Sequence, residues 1–431
     1  MRPLALLALA AVVATSLGAV PAPSSENAGG TTILRQSDGN AALVGVALVV
    51  RAGLDRQTLK QNGLAALTAE TILKTPIGGV ALEDAVAARG GSVRFNVDPS
   101  DVRFYVEALA GDAPTVLDLF RTALAAPDFS PPTVRDARAA LVAQIAQGQQ
   151  VALQVGLDML NAASSPQANA GLPELGTPAS LAQIFASDVR SFYRAYYRRG
   201  GVLVSAAGRL DTLPADALAT LAAALPPGTT SPVVVHVPKL TGSTREIVAH
   251  RDISSPWLIA QYSAPTVSGN DFGPMLVLAA FLRRTLSDIA QVPGVVTPTF
   301  ASRSVGAVYA YDRAPPTLVL YVNGGLIGNP SRAFATALSI VGVLAATRLQ
   351  GSIEEFKAEA AGDFAGDATT LETRAWLAAV FSRESASPDF VDRALAAIAA
   401  TTPADVQRVA RIYLGNPTIA LVLPRGTSLQ D

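Results

Sequence analysis

The 431-residue chain has no cysteine and only two histidines, His236 and His250. The first absence excludes disulfides and every thiolate site for metal or redox chemistry. An exported form of such a chain has to be held together by its core alone. The scarcity of histidine narrows the enzyme classes further, because a Ser-His-Asp site needs one of the two. His236 sits in Val233-Val234-Val235-His236-Val237 and His250 in Ile247-Val248-Ala249-His250, and both read as strand residues. No G-x-S-x-G sequence and no phosphate-binding glycine loop occurs. Charge is sparse as well, at 16% of residues with a net charge of −1. Lys and Arg are spread along the chain without a basic stripe, which argues against nucleic acid as a partner. The acidic pairs Asp98/Asp101 and Glu354/Glu355 are accounted for by a turn and a helix start. Beyond the N-terminus no segment reads as a membrane-spanning helix.

Half of the residues are apolar, the composition of a well-buried globular protein. The length is too great for one ordinary core and predicts two or more units. Met1-Arg2, the apolar run from Leu4 to Leu17 and the small residues around Gly18 read as an export signal. The run is shorter than the ~20 residues a spanning helix needs; an uncleaved anchor is the alternative reading. No cysteine follows it, so a lipid-modified cysteine is excluded. The mature chain is expected in a bacterial periplasm or outside the cell, with no stable membrane insertion once the signal is removed.

Leu225-Pro226-Pro227-Gly228-Thr229-Thr230-Ser231-Pro232 separates an Ala/Leu-rich helix from an apolar strand and reads as a linker. The segments on either side end alike. Asp188-Val189, Tyr196 and the strand Val202-Leu203-Val204 recur 217 residues later as Asp405-Val406, Tyr413 and Ile419-Ala420-Leu421-Val422. Internal duplication explains this better than chance recurrence. Within the first half, hydrophobic periodicity predicts strands over 41–50, 92–97, 102–109 and 202–207. It predicts helices over 63–74, 82–89, 114–125 and 186–197, and one long helical region over 132–161. Strands mixed with paired helices imply an α+β layer with helices on one sheet face.

The alternating segment Ala41–Val50, Arg51-Ala52-Gly53 with a polar turn, the helix opening at Gly63, Arg89-Gly90-Gly91-Ser92-Val93 and the strand ending Asp101-Val102-Arg103-Phe104-Tyr105-Val106 form a recognisable succession. It resembles the insulinase/pitrilysin (inverzincin, mitochondrial-processing-peptidase-type) zinc peptidases, whose metal-binding helix reads G-x-x-H-x-x-E-H. The resemblance implies two similar halves, each a mainly antiparallel sheet with helices packed on one face, facing each other across a chamber. The corresponding division is a signal peptide over 1–22, a flexible segment over 23–32, peptidase-like domains over 33–225 and 233–431, and a linker over 226–232.

On this template the two histidines fall on Ala66 and Glu70, and the catalytic glutamate falls on Ala69. Alanine offers no lone pair, and a single carboxylate at Glu70 closes no zinc shell; a solvated helix carboxylate is the plain reading of Glu70. The third ligand of the family falls near Ala143-Gln144. No Asp or Glu occurs from Ala137 to Leu157, and Gln144 lacks the charge of a glutamate. The Arg/Tyr pair that grips substrate in the second half is missing too: aligned on Gly294, its positions are Thr297 and a residue near Ala290. Arg303 and Tyr309, just downstream, are candidates to replace it, although Tyr309 and Tyr311 also read as one face of an amphipathic strand.

The family also holds extended peptides by adding them to a sheet edge through main-chain groups. The matching edge is Ser92-Val93-Arg94-Phe95. A charged edge strand equally serves to prevent aggregation, and both readings stand. The resemblance therefore implies a catalytically inactive subunit that has no cofactor of its own. It would shape the chamber and contact an extended or unfolded peptide beside an HxxEH-bearing, zinc-holding subunit of similar length. The alternatives are a stand-alone periplasmic peptide-binding or scaffold protein with the same fold, and an enzyme of unfamiliar chemistry.

Overall fold

The computed structural model describes residues 22–164, 169–230, 245–290, 305–323, 353–415 and 417–427. Residues 1–21 of the export signal expected over 1–22, and His236, Thr297 and Arg303, lie outside the described residues. Along the chain run strands β1 (Ser24–Ala28), β2 (Thr31–Ser37) and β3 (Leu43–Val50), then helices α1 (Leu64–Leu73) and α2 (Leu82–Ala87). Next come β4 (Ser92–Val97), β5 (Val102–Leu109), α3 (Ala113–Ala125), α4 (Pro131–Gly148), α5 (Ala152–Ser164), α6 (Ala186–Tyr196), β6 (Leu203–Gly208) and α7 (Ala217–Ala223). The remainder holds β7 (Arg245–Arg251), β8 (Trp257–Ser263), α8 (Phe272–Ala290), β9 (Val305–Ala310) and β10 (Thr317–Asn323). It ends with α9 (Ile353–Asp367), α10 (Leu371–Ser385), α11 (Phe390–Ala400), α12 (Pro403–Tyr413) and β11 (Thr418–Pro424). None of the described helices is long and apolar enough to cross a membrane.

Two compact units result. One comprises Met1–Ile145, Gln167–Val235 and Gly366–Val391; the other comprises Ala146–Pro166, His236–Ala365 and Asp392–Asp431. The first contains a six-stranded sheet in the order β1-β2-β6-β3-β5-β4, and the second a five-stranded sheet in the order β9-β10-β8-β11-β7. Apart from β1 the orders are the same, β2-β6-β3-β5-β4 matching β7-β11-β8-β10-β9. In each sheet one pair is parallel, β2 with β6 and β7 with β11, and every other pair is antiparallel. The residues that recur 217 positions apart sit at matching points. Asp188 Oδ2 accepts the Phe185 N–H at 2.8 Å, and Asp405 Oδ2 accepts the Thr402 N–H at 3.1 Å, so each closes the first turn of its helix. Val189 and Val406 point into the cores, and Tyr196 and Tyr413 end α6 and α12.

The main core of the first unit lies on one sheet face. Val44, Val46, Leu48 and Val50 of β3 meet Val102, Phe104 and Val106 of β5, with Phe120 and Leu124 of α3 and Tyr197 above them. Truncating a fully buried side chain such as Phe104 to alanine costs about 3–5 kcal/mol. The other face of the same sheet is covered as well. Ala47, Tyr105 and Ala207 pack on Ala375 and Leu371 of α10. Covered on both faces, β3 is buried from Val44 to Val50, which explains its nearly unbroken apolar run. In the second unit α5 takes the equivalent place, with Leu153, Leu157 and Leu160 against Ile259, Val319 and Ala420.

Two sequence expectations are corrected. The stretch 23–32, expected as flexible, contains β1 and the start of β2. Gly29 and Gly30 both have positive φ (60° and 87°), the backbone a two-residue hairpin turn requires, and Ser24↔Arg35 through Ala28↔Thr31 form the ladder. The helical region 132–161 is two helices. Gly148 and the turn hydrogen bonds Gln150 N→Gln147 O and Val151 N→Gly148 O separate α4 from α5, which belong to different units. The linker's Pro226–Thr230 part is tied down, since Arg199 N–H donates to Pro226 O and Thr230 N–H to Gly200 O.

Candidate functional site

Helix α1 carries the positions where a metal would be expected, and its environment decides what they can do. Gly63 starts it with φ 95°, and a Cβ there would lie 2.8 Å from Leu181 Cδ2 and 2.9 Å from Leu175 O. Both backbone angle and space therefore require glycine. Gln57 Oε1 accepts the Ala65 N–H at 3.1 Å, satisfying one of the donors that a helix start leaves open, and Gln57 Nε2 is held by Asn62 Oδ1 at 3.2 Å. Thr68 and Thr71 return their hydroxyl protons to the carbonyls of Leu64 and Leu67. Every residue from Leu64 to Leu73 is buried.

Ala66 and Ala69 have no exposed surface and belong to the apolar core, where α1 packs against β4 and α6. Glu70 corrects its reading as a solvated carboxylate: it is only 2% exposed. Lys74, one turn further on, places Nζ 3.6 Å from Glu70 Oε1 and donates a hydrogen bond to Glu83. Burial pushes the Glu70 carboxyl up to about 7, against the opposing pull of Lys74. Burial works against the charge of Lys74, but Glu83 and Glu70 hold its ammonium above the ordinary range. The arrangement is a buried carboxyl with one cationic neighbour. It does not fit zinc, which needs three protein donors and an open position. Gln144 lies exposed on α4. Among the described residues no group of three or more His, Cys, Asp or Glu is placed to hold a metal ion.

The expected peptide-binding edge is β4, at the end of its sheet. Val93 and Phe95 turn half-buried toward the core, Phe95 lying 6.3 Å from the Phe104 ring, while Ser92, Arg94 and Asn96 face outward. Arg94 forks onto Glu372 and lies over the Tyr105 ring at 4.7 Å; Tyr105 in turn donates to Glu107 at 2.7 Å. What β4 offers a ligand is thus its outer row of backbone groups and Ser92, with Arg94 engaged inside its own unit. Tyr309, expected as a substrate contact, is corrected: it is 6% exposed, packs on Phe272 and Tyr311, and donates its hydroxyl proton to Pro265 O. Its partner candidate Arg303 lies outside the described residues. His250 is an exposed β7 residue whose Nε2 is 3.0 Å from Thr427 O.

The acidic pair at the β4–β5 turn does more than turn the chain. Asp98 and Asp101 are buried; Asp98 Oδ2 is 3.6 Å from Arg103 Nη2, and Asp101 Oδ2 accepts from Ser100 Oγ at 2.7 Å and from Arg383 of α10. Arg103 stacks on Trp376 at 3.7 Å. Nearby, burial pushes the Asp55 carboxyl up to about 6 despite Arg56, with Asp101 adding to the rise. Neither Arg383 nor the neighbouring Arg51 stands out in the sequence, because each is a lone arginine outside any spacing pattern.

Residues 32–177 match the family described as insulinase (peptidase family M16). No curated protein matches the chain by sequence. Solved structures share its fold at low identity. A protease from Helicobacter pylori is 13% identical with a TM-score of 0.80, over 94% of this chain and 100% of that one. The peptidase M16 inactive domain from Pseudomonas fluorescens is 15% identical with a TM-score of 0.75, over 95% and 99%. A chain of Complex III2 from Candida albicans, with Inz-5 bound, is 13% identical with a TM-score of 0.74, over 93% and 95%. Residues 32–177 are thus similar to the insulinase family, with Ala66, Ala69 and Glu70 where its HxxEH side chains would stand, within a chain that shares the fold of these solved structures.

Proposed function

We propose that this chain is a catalytically silent subunit that shapes a peptide chamber beside an HxxEH-bearing, zinc-holding subunit of similar length, in the periplasm or outside the cell. One observation carries the reading: the three motif positions of α1 are buried among apolar side chains, two of them as alanine and the third as a carboxyl beside a lysine. The inactive label on the Pseudomonas fluorescens neighbour supports it. Substrate contact then falls to main-chain groups, for which the outer edge of β4 is suited. Zinc belongs to the partner in this reading, and this chain has no cofactor.

The test combines metal analysis of the purified chain with hydrolysis of a peptide library, by the chain alone and by the chain co-expressed with a zinc-bearing partner. The expected result is less than stoichiometric zinc, no turnover alone and turnover by the pair. One equivalent of zinc on the isolated chain, or chelator-sensitive hydrolysis by it, would refute the proposal. The likeness to a chain of Complex III2 favours a second reading, a scaffold or peptide-binding protein without any peptidase partner. A chain that co-purifies from its host with no zinc-bearing peptidase supports that second reading.

A further inference from the structure

In the first unit, the ends of β2, β3 and β6 meet α10 around a cavity of about 290 Å³. Its walls are apolar at Val49, Leu203 and Trp376 and charged at Arg51, Asp101 and Arg383. Two of the three charges cancel, since Arg383 donates to Asp101. Arg51 differs from them. It is half-buried, and among the described residues it makes no hydrogen bond or ion pair. Its side chain runs past Gly201, where φ is 101° and an added Cβ would stand 3.4 Å from Arg51 Cδ. The backbone thus leaves room for a guanidinium that has no anion of its own among the described residues.

A cation held partly out of water without a counter-charge is unfavourable unless something pairs with it. The cavity supplies the place. At ~30 Å³ per water it has room for about ten water-sized volumes, which suits a molecule between an amino acid and a dipeptide. One uncompensated positive charge matches a monoanion better than a dianionic phosphate, and a guanidinium fork matches the two oxygens of a carboxylate. The apolar walls call for an apolar body on the same molecule.

We propose that this cavity binds a small carboxylate with a short apolar body, its carboxylate paired with Arg51 and its body against Trp376 and Leu203. Both a free organic acid and the C-terminal residue of a short peptide have this chemistry. The site lies apart from β4 and does not depend on the peptide-edge reading above.

Titration calorimetry on the purified full chain tests it, with isovalerate as the free acid, Ala-Leu as the peptide and Ala-Leu amide as the uncharged control. Wild type is expected to bind isovalerate or Ala-Leu, and whichever binds more tightly identifies the source of the carboxylate. Ala-Leu amide is expected to bind at least about tenfold more weakly than Ala-Leu, the loss of one charge-assisted contact. Arg51→Gln should weaken the preferred ligand similarly while leaving the melting temperature near wild type, because Arg51 supports no other described group. Ser382→Phe, at the half-buried wall, fills the cavity with the charge retained and should abolish binding altogether. The proposal is overturned if neither ligand binds wild type at millimolar concentration. It is overturned equally if amide and acid bind alike, or if the folded Arg51→Gln and Ser382→Phe proteins bind as wild type does.

Discussion

Replacing Glu70 with glutamine should make the protein more stable above neutral pH, and the size of the gain follows from where the carboxyl lies. An ordinary glutamate titrates near 4.5; burial in α1 moves Glu70 to about 7. The folded state therefore holds this proton more tightly than the unfolded chain does. Its contribution to stability is fully present below pH 4.5 and is lost as pH rises to about 7, because the folded protein must then ionise a buried group. Over the interval from 4.5 to about 7, at about 1.4 kcal/mol per pH unit, the loss is roughly 3 kcal/mol. Glutamine keeps the shape and cannot ionise, and Lys74 keeps Glu83 as its partner. Urea unfolding of wild type and Glu70→Gln at pH 4 and pH 8.5 measures the difference directly, because every other titrating group is common to both proteins. The stability of the variant relative to wild type should rise by roughly 3 kcal/mol between the two pH values. A relative stability that stays constant, or that falls as pH rises, refutes the reasoning and returns Glu70 to the solvent.

Two further substitutions probe the same unit. Arg383→Ala removes the cation from the buried Asp101 and should destabilise by about 1–3 kcal/mol in chemical denaturation, the cost of leaving a buried acceptor without its donor. Restoring the motif with Ala66→His, Ala69→Glu and Glu70→His should yield no stoichiometric zinc by metal analysis. The two enlarged side chains should each cost about 1–3 kcal/mol, visible as a lowered melting temperature, because both alanines are fully buried.

The sequence shows the elements clearly where the periodicity is strong. The strands 92–97 and 102–109 have the expected bounds, and the helix expected over 63–74 is Leu64–Leu73. β1 escaped notice because Ser24-Ser25-Glu26-Asn27-Ala28 is a polar edge strand with almost no buried side chain, so only its backbone ladder defines it. The replacement of the HxxEH side chains was legible residue by residue from Ala66 and Ala69. Burial of Glu70 was not, since a carboxylate four residues before a lysine is equally at home on a solvated helix face. The Asp101–Arg383 pair spans 282 positions, and no local pattern connects residues so distant. The cavity around Arg51 was hidden for the same reason: its walls come from segments that meet only through the fold.

The helices that cover the second face of each sheet have a consequence for how the chain can be divided. α5 belongs to the half that precedes Pro226 but completes the unit containing β8, and α10 belongs to the later half but completes the unit containing β3. A fragment stopping at residue 225 would thus leave Ala47, Tyr105 and Ala207 bare and carry α5 as an apolar helix with nothing to cover. The duplicated halves are not modules that can be expressed apart. Each half of the sequence furnishes one structural element to the other, so the two sheets are completed only together.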